Sequence, residues 1–300
     1  MSKGRTPASR PVAQRPGAEA PPVVSGRWLL IAFLITIAAA LACVYGSMCL
    51  LFYQGQWQML FHPSRTVTAT PANARLSYEE IHFDVTDTGA PLLDGWWVTA
   101  APGAQYATDT VLYLHDARGS LADTVPAIVM LHQLGINVFA FDYQGFGKSA
   151  GRHPTERLAR ADAVAAWTYL TDLRHIAGNH IVVYGDGTGA TFAAALAAEF
   201  APAGAILEDP NPPARQTFEH DARARILPLW LLQNESLDPT ADLQRAHVPR
   251  LFLDRQGDAS RTRELFEKSS TPKAYFDLRG AAAPTVDETL RRFFDQVLSR

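Results

Sequence analysis

The chain has 300 residues, 47% hydrophobic and 19% charged, a balance that suits one large folded core and argues against a chain disordered throughout. Its formal net charge of −3 offers no basic surplus of the kind nucleic-acid binding draws on. Both cysteines, Cys43 and Cys49, fall inside an apolar run, so the folded part has neither a disulfide framework nor a thiolate metal site.

Residues 1–27 are rich in Pro, Ala and Gly, show no apolar periodicity, and are expected to form a disordered tail. The tail carries Lys3, Arg5, Arg10, Arg15 and Arg27 against one acid, Glu19. From Trp28 to Ser64 no Lys, Arg, Asp or Glu occurs, and Trp28–Tyr53 is predominantly apolar. At about 1.5 Å per residue such a run exceeds the roughly 30 Å hydrocarbon core of a bilayer. A cleaved signal peptide has an apolar stretch of only about 7–15 residues. One membrane-spanning helix is therefore predicted over residues 28–53, with the bilayer as the first partner. The positive-inside rule keeps the basic tail in the cytoplasm and places the rest of the chain outside it, in the periplasm if the cell is Gram-negative. Tyr53 and Trp57 suit the outer membrane interface. The five cations are spread over the tail, so topology signalling is a simpler role for them than recognition of anionic lipid.

Residues 54–76 read as a juxtamembrane linker and residues 77–300 as one domain, without repeats or low-complexity stretches. Strands are predicted at Tyr78–Val85, Leu92–Thr99, Thr110–Leu114, Val138–Asp142, His180–Tyr184, Ala205–Leu207, Arg250–Leu253 and Ala274–Leu278. Runs such as VLYL, VFAF and IVVY are short and wholly apolar, as strands buried on both faces of a parallel sheet must be. Helices are predicted at Leu121–Gln133, Glu156–Leu173, Thr188–Glu199, Arg261–Ser269 and Val286–Leu298. This alternation implies an α/β fold, a mostly parallel eight-stranded sheet with helices on both faces and right-handed crossovers. The first two strands, around Thr88–Gly89, suit an antiparallel hairpin at one edge. The proline-rich stretch Glu208–Leu243 is less regular and suits a small cap between two strands.

Several motifs then fall in order: QGQWQMLFHP (54–63), LYLHDARGS (112–120), VFAFDYQGFGKSAGRHPTE (138–156), IVVYGDGTGA (181–190) and VPRLFLDRQGD (248–258). Together they resemble the membrane-anchored α/β-hydrolases related to serine aminopeptidases and acylglycerol lipases. FDYQGFGKSAG is the most specific piece and is similar to the family's FDYRGYGxSxG loop beside the active site. The resemblance covers almost everything from Gln54 onward and implies the α/β-hydrolase fold.

The residues that the resemblance maps onto the catalytic positions depart from the family pattern. The nucleophile of such enzymes sits in G-x-S-x-G on a strand-to-helix turn. The matching segment is Gly185-Asp186-Gly187-Thr188-Gly189, with Gly187 at the nucleophile position, and glycine offers no atom for an acyl-enzyme. The oxyanion loop, His-Gly in the family, reads His115-Asp116, and a carboxylate there opposes a developing oxyanion. Asp258 matches the triad acid, and Asp254 stands where the family usually has histidine. Ala283 matches the triad histidine. No alignment is needed for that last point: the final histidine of the chain is His247, whereas the triad order is Ser, acid, His.

Two residues near the turn are alternative nucleophiles. Asp186 lies one position from the bracketed centre and is also explained by attraction to a helix N-terminus. Thr188 belongs to the first helical turn, where capping is the simpler role. Asp116, Asp186 and Asp258, with His115, would converge near the old site if the fold is right, but with no ligand motif such as HExxH they read as solvated acids, with no metal and no cofactor. His153, His175, His180 and His220 read as surface residues. The sequence thus predicts a membrane-anchored α/β-hydrolase-fold protein without its catalytic serine and histidine, acting in binding or assembly at the extracytoplasmic face, with a membrane protein complex as a possible setting. The alternative is an esterase-, lipase- or peptidase-type hydrolase with a non-standard site.

Overall fold

The computed structural model describes residues 24–84, 93–222, 224–256 and 258–298. Most of the basic tail, the expected Thr88–Gly89 turn and Gly257 therefore lie outside the described residues. By its contacts the chain divides into one unit ending at Met48 and a second running from Cys49 to Arg300.

Helix α1 spans Gly26–Gly55, with no buried residue along its 30 positions. It is long and apolar enough to cross a membrane by length and composition.

The second unit is built on eight strands: β1 (Glu79–Phe83), β2 (Leu93–Val98), β3 (Tyr106–Leu114), β4 (Ile136–Phe141), β5 (Ile181–Asp186), β6 (Gly204–Glu208), β7 (Arg250–Asp254) and β8 (Lys273–Asp277). Their order across the sheet is β8-β7-β6-β5-β3-β4-β2-β1. The pairs β1–β2 and β2–β4 are antiparallel and the remaining five are parallel. All eight predicted strands are present, each shifted by a few residues at its ends. The order of β3 and β4 is exchanged relative to the chain, which leaves a crevice at the carboxyl ends of the central strands.

The apolar runs work as expected, with alternate side chains feeding opposite faces. Along β3, Leu112 and Leu114 join one core and Val111 and Tyr113 the other. Phe139 and Phe141 of β4, and Ile181 and Val183 of β5, extend the first core. Val138, Ala140, Val182 and Tyr184 extend the second. The principal covering helices are α2 (Val125–Leu134), α3 (Glu156–Thr168), α4 (Gly189–Glu199), α5 (Ala259–Lys268) and α6 (Ala283–Leu298). The first predicted helix opens as a 3₁₀ turn at Leu121–Thr124, and the second closes as a π-helical turn at Tyr169–Leu173.

Residues 54–76, expected as a linker, are in fact packed against the domain. A short helix, Trp57–Leu60, precedes His62–Pro63, which pairs in parallel with Arg118–Gly119. Phe61 is buried, and Trp57, Met59 and Leu60 pack against the first core. Among the described residues, the stretch between β6 and β7 holds three short α-helices, Ala214–His220, Leu229–Leu232 and Thr240–Arg245, and a 3₁₀ turn at Ala224–Ile226.

Helix α4 is nearly all small residues, and Gly189 through Ala197 are buried. Its first residue sets how closely it meets the sheet: a Cβ at Gly189 would stand 1.9 Å from the Leu114 carbonyl oxygen. Backbone cannot yield as a flexible side chain can, so Gly189→Ala should cost at least about 3 kcal/mol. In a domain of this size that lowers the thermal midpoint by roughly 6 °C or more, and a melt of the detergent-solubilised chain measures it.

Candidate functional site

The turn from β5 into α4 carries Gly185, Asp186, Gly187, Thr188 and Gly189. Gly185 is required there because its Cβ would lie 2.4 Å from the Gly189 carbonyl oxygen and 2.5 Å from the Ala190 nitrogen. Gly187 sits at φ 57°, in the left-handed region that a side chain disfavours. The amide of Gly187 donates to the Glu208 carbonyl at 3.0 Å, tying the turn to the end of β6.

The space in front of Gly187 is filled by Asp116. A Cβ built on Gly187 would meet Asp116 Oδ1 at 2.4 Å. The same oxygen accepts from the Thr188 amide at 2.8 Å and from Asn211 Nδ2 at 2.6 Å. Asn211 Nδ2 also donates to Thr188 Oγ1 at 2.9 Å, and the Asn211 amide donates to the Gly187 carbonyl at 3.3 Å. Asp116, Gly187, Thr188 and Asn211 form one closed polar knot. In a nucleophile turn, the amide that follows the nucleophile is an oxyanion donor. The amide that follows Gly187, that of Thr188, is already bonded to a carboxylate of the chain itself.

The expected capping role of Thr188 is not what the structure has. Thr188 is buried, takes helical backbone angles and makes no side-chain cap bond. Its hydroxyl accepts from Asn211, an amide N–H that cannot take up a proton.

Asp186 belongs to a different environment. The Tyr113 hydroxyl donates to its Oδ2 at 3.4 Å. Burial first, then the charges of Glu208, Asp116 and Asp209, push its carboxyl up to about 7. It lines a cleft of about 460 Å³ with Tyr113, Glu208, Asp209, Arg255 and Gln256. Glu208 is raised by burial, pairs with Arg255 at 2.9 Å and accepts the Tyr184 hydroxyl. Asp209, at φ 44°, accepts the Arg255 and Gln256 amides at 2.8 and 2.9 Å.

His115 is buried against Tyr143 and Phe146. Its Nδ1 lies 2.6 Å from the Asp116 carbonyl, which can only accept, so the proton sits on Nδ1. Burial pulls its pKa down to about 4, so the ring is neutral near pH 7. Its Nε2 faces Asp142 Oδ1 at 3.7 Å, and burial pushes Asp142 up to about 7. Asp142 in turn accepts the Leu121 amide at 2.9 Å, and the loop after it folds back through Gly147, whose Cβ would strike the Asp142 carboxylate at 1.8 Å.

The remaining predicted positions stand elsewhere. Asp258 caps α5, with Oδ1 accepting the Ser260 amide at 2.9 Å and hydroxyl at 2.6 Å, and these bonds lower its pKa. Ala283 is the first residue of α6. Asp254 is fully buried, lies 3.7 Å from Arg279 Nε, and is raised to about 6 by burial and then by Asp209. Of the acids expected to converge, Asp116 and Asp186 stand at the same turn while Asp258 caps α5, and among the described residues no group of three or more His, Cys, Asp or Glu is placed to hold a metal ion. Sequence reasoning missed Asn211, Asp209 and Arg255. A cluster of backbone-bonding residue types in EDPNPP, at the end of a strand, was the available signal.

The shifted groups set a pH dependence. Asp142 and Asp186 (about 7) and Asp162 (about 6) exceed the ordinary 3.8, so the folded chain keeps protons that the unfolded chain has released. Their contribution is full below that ordinary value and lost as pH rises through 6 and 7. His115 acts in reverse, stabilising above 6.5 and losing that contribution as pH falls through about 4. Asp258 is lowered and Asp277 falls to about 2, so both act below this window. Asp254, raised to about 6, acts with Asp142, Asp186 and Asp162, and four carboxyls outweigh one imidazole, so the thermal midpoint should fall between about pH 5 and 8. Asp186→Asn should flatten the upper half of that fall, as melts across the pH series would show.

No family model matches the chain. An uncharacterised protein of Mycobacterium tuberculosis is 25% identical over 253 residues, covering 82% of this chain and 86% of its own. Protein bem46 of Schizosaccharomyces pombe is 32% identical over 137 residues, 45% of this chain and 44% of its own. Human alpha/beta hydrolase domain-containing protein 17B is 32% identical over 115 residues, 38% of each chain. Among solved structures, an esterase of Pyrococcus furiosus aligns with a TM-score of 0.63 at 20% identity, covering 79% of this chain and 99% of that one. An α/β-hydrolase of Vibrio vulnificus aligns with a TM-score of 0.56 at 18% identity, covering 77% and 82%. Likeness at these identities speaks for the fold, and it agrees with the strand order and the glycine-bracketed turn: this chain has the α/β-hydrolase fold.

Proposed function

We propose that this protein does no serine-hydrolase chemistry and works as a binding or assembly component at the extracytoplasmic face of a membrane, held there by α1. The observation that carries the reading is the Asp116 carboxylate, which fills the place of a nucleophile side chain and accepts the Thr188 amide. An acyl substrate entering this turn finds no nucleophile at Gly187 and meets a negative charge where its own would develop. The absence of any histidine after His247 removes the usual base as well. Orientation follows from the five cations of the N-terminal tail. The cleft beside Asp186 and Glu208 is the natural seat for a ligand, at the carboxyl edge of the sheet.

A second reading has one specific observation in its favour. Asp186 is a buried carboxyl raised to about 7 that lines a cleft, as general acids and bases often do. Under that reading the protein is a hydrolase with a relocated centre, and Thr188 is the weaker nucleophile because its bonded neighbour is a donor.

The test is a fluorophosphonate probe and short-chain p-nitrophenyl esters, applied to the detergent-solubilised chain with and without divalent cations. No labelling and no turnover above a heat-denatured control is the expected result. Turnover that disappears in Asp186→Asn or Thr188→Ala would overturn the proposal in favour of the second reading. Asp116→Ala should remain inactive while losing about 1–3 kcal/mol of stability, since the Thr188 amide and Asn211 side chain lose their acceptor.

A further inference from the structure

We propose that the apolar stretch Ile226–Leu232 makes a second contact with lipid, seating in the boundary between headgroups and hydrocarbon of the bilayer that α1 spans. The proposal rests on the reading of α1 as a membrane anchor. Among the described residues, six large apolar side chains outside α1 are exposed, and Ile226 (62%), Trp230 (84%) and Leu231 (64%) are three of them. Their clustering within six residues makes a patch, where scattered exposed apolar residues would need no explanation.

The stretch is fixed in place. Leu229 packs against the first core. The Leu232 carbonyl accepts Gln56 Nε2 at 3.1 Å, and the Asn234 amide donates to Gln56 Oε1 at 3.1 Å. Gln56 is itself buried, and its Nε2 also reaches the Tyr53 carbonyl at 3.1 Å. One turn earlier, Phe52 meets Phe218 edge-on at 5.2 Å. Both sides of these contacts lie in the unit that begins at Cys49.

The position decides what covers the patch. Tyr53 to Gly55 are the last residues of α1, where an apolar span gives way to the interface. Whatever is bonded directly to Gln56 stands at that level, and the exposed side chains there are two aliphatic groups and a tryptophan. Tryptophan favours this depth because its ring is apolar and its N–H can reach the headgroups. The patch is thus tied to the last turn of α1, which belongs to the same unit, and under the anchor reading a bilayer is the occupant at that level.

The test uses the whole chain with Cys43 and Cys49 replaced by serine, in phosphatidylcholine nanodiscs. A nitroxide is placed in turn at Trp230→Cys, at Leu173→Cys as an exposed site elsewhere on the domain, and at Ile35→Cys within α1. Collision with oxygen and with a water-soluble nickel chelate is read by power-saturation EPR. The expected result is an oxygen-to-nickel ratio at 230 several-fold above that at 173 and approaching that at 35. Equal ratios at 230 and 173, with a lipid-like value at 35, would overturn the proposal and leave the anchor standing. Low collision with both reagents at 230 would mean a protein surface covers it and would overturn it as well. An aqueous value at 35 removes the anchor reading and the proposal together.

Discussion

Everything at the candidate site depends on how closely the first turn of α4 meets the end of β3. Gly189 and Gly185 allow that approach, with Leu114 and the α4 backbone occupying the space that side chains at these positions would need. Because β3 and β5 are neighbours in the sheet, the residues that follow Leu114 are delivered directly in front of the β5–α4 turn. His115 turns into the core and Asp116 turns toward Gly187. The same geometry that presents a nucleophile in an active hydrolase here presents a glycine to a carboxylate.

The two acids that flank the turn behave differently. Asp116 accepts hydrogen bonds from the Thr188 amide and from Asn211 Nδ2. Asp186 has one long bond from a tyrosine and is crowded by Glu208 and Asp209, so its charge is disfavoured. One carboxyl is held by the fold, while the other is retained at some expense to stability on the wall of a cleft. Groups kept against their own desolvation are the ones most often tied to binding or chemistry, and this contrast makes the cleft the more informative place to look for a ligand.

Much of this was legible in the sequence. The central strands were readable because strands buried on both faces must be short and largely apolar, and the turn because only glycine tolerates its close contacts. That residue 187 is a glycine and that no histidine follows His247 are facts of residue identity. What could not be read was direction and long-range contact. Asp116 was recognisable as a departure, but its bonds to residues 72 and 95 positions away depend on the completed sheet. Asn211 lay in a proline-rich stretch without periodicity, so no pattern marked it. The capping role expected for Thr188 followed a sound local preference that the nearby Asn211 overrode. Residues 54–76 looked like a linker because they form only brief elements, and their packing rests on single anchors such as Phe61 and Gln56.

The left-handed backbone of Gly187, taken with the carboxylate in front of it, makes a pair of residues that cannot be exchanged one at a time. A side chain introduced at 187 meets Asp116 at 2.4 Å, whereas removing Asp116 first strands two donors. Each single replacement is worse than the present arrangement, and only a joint change opens the turn. The pair is therefore locked in the manner of a ratchet: no single substitution at 187 or 116 opens the turn, and the two positions can change only together.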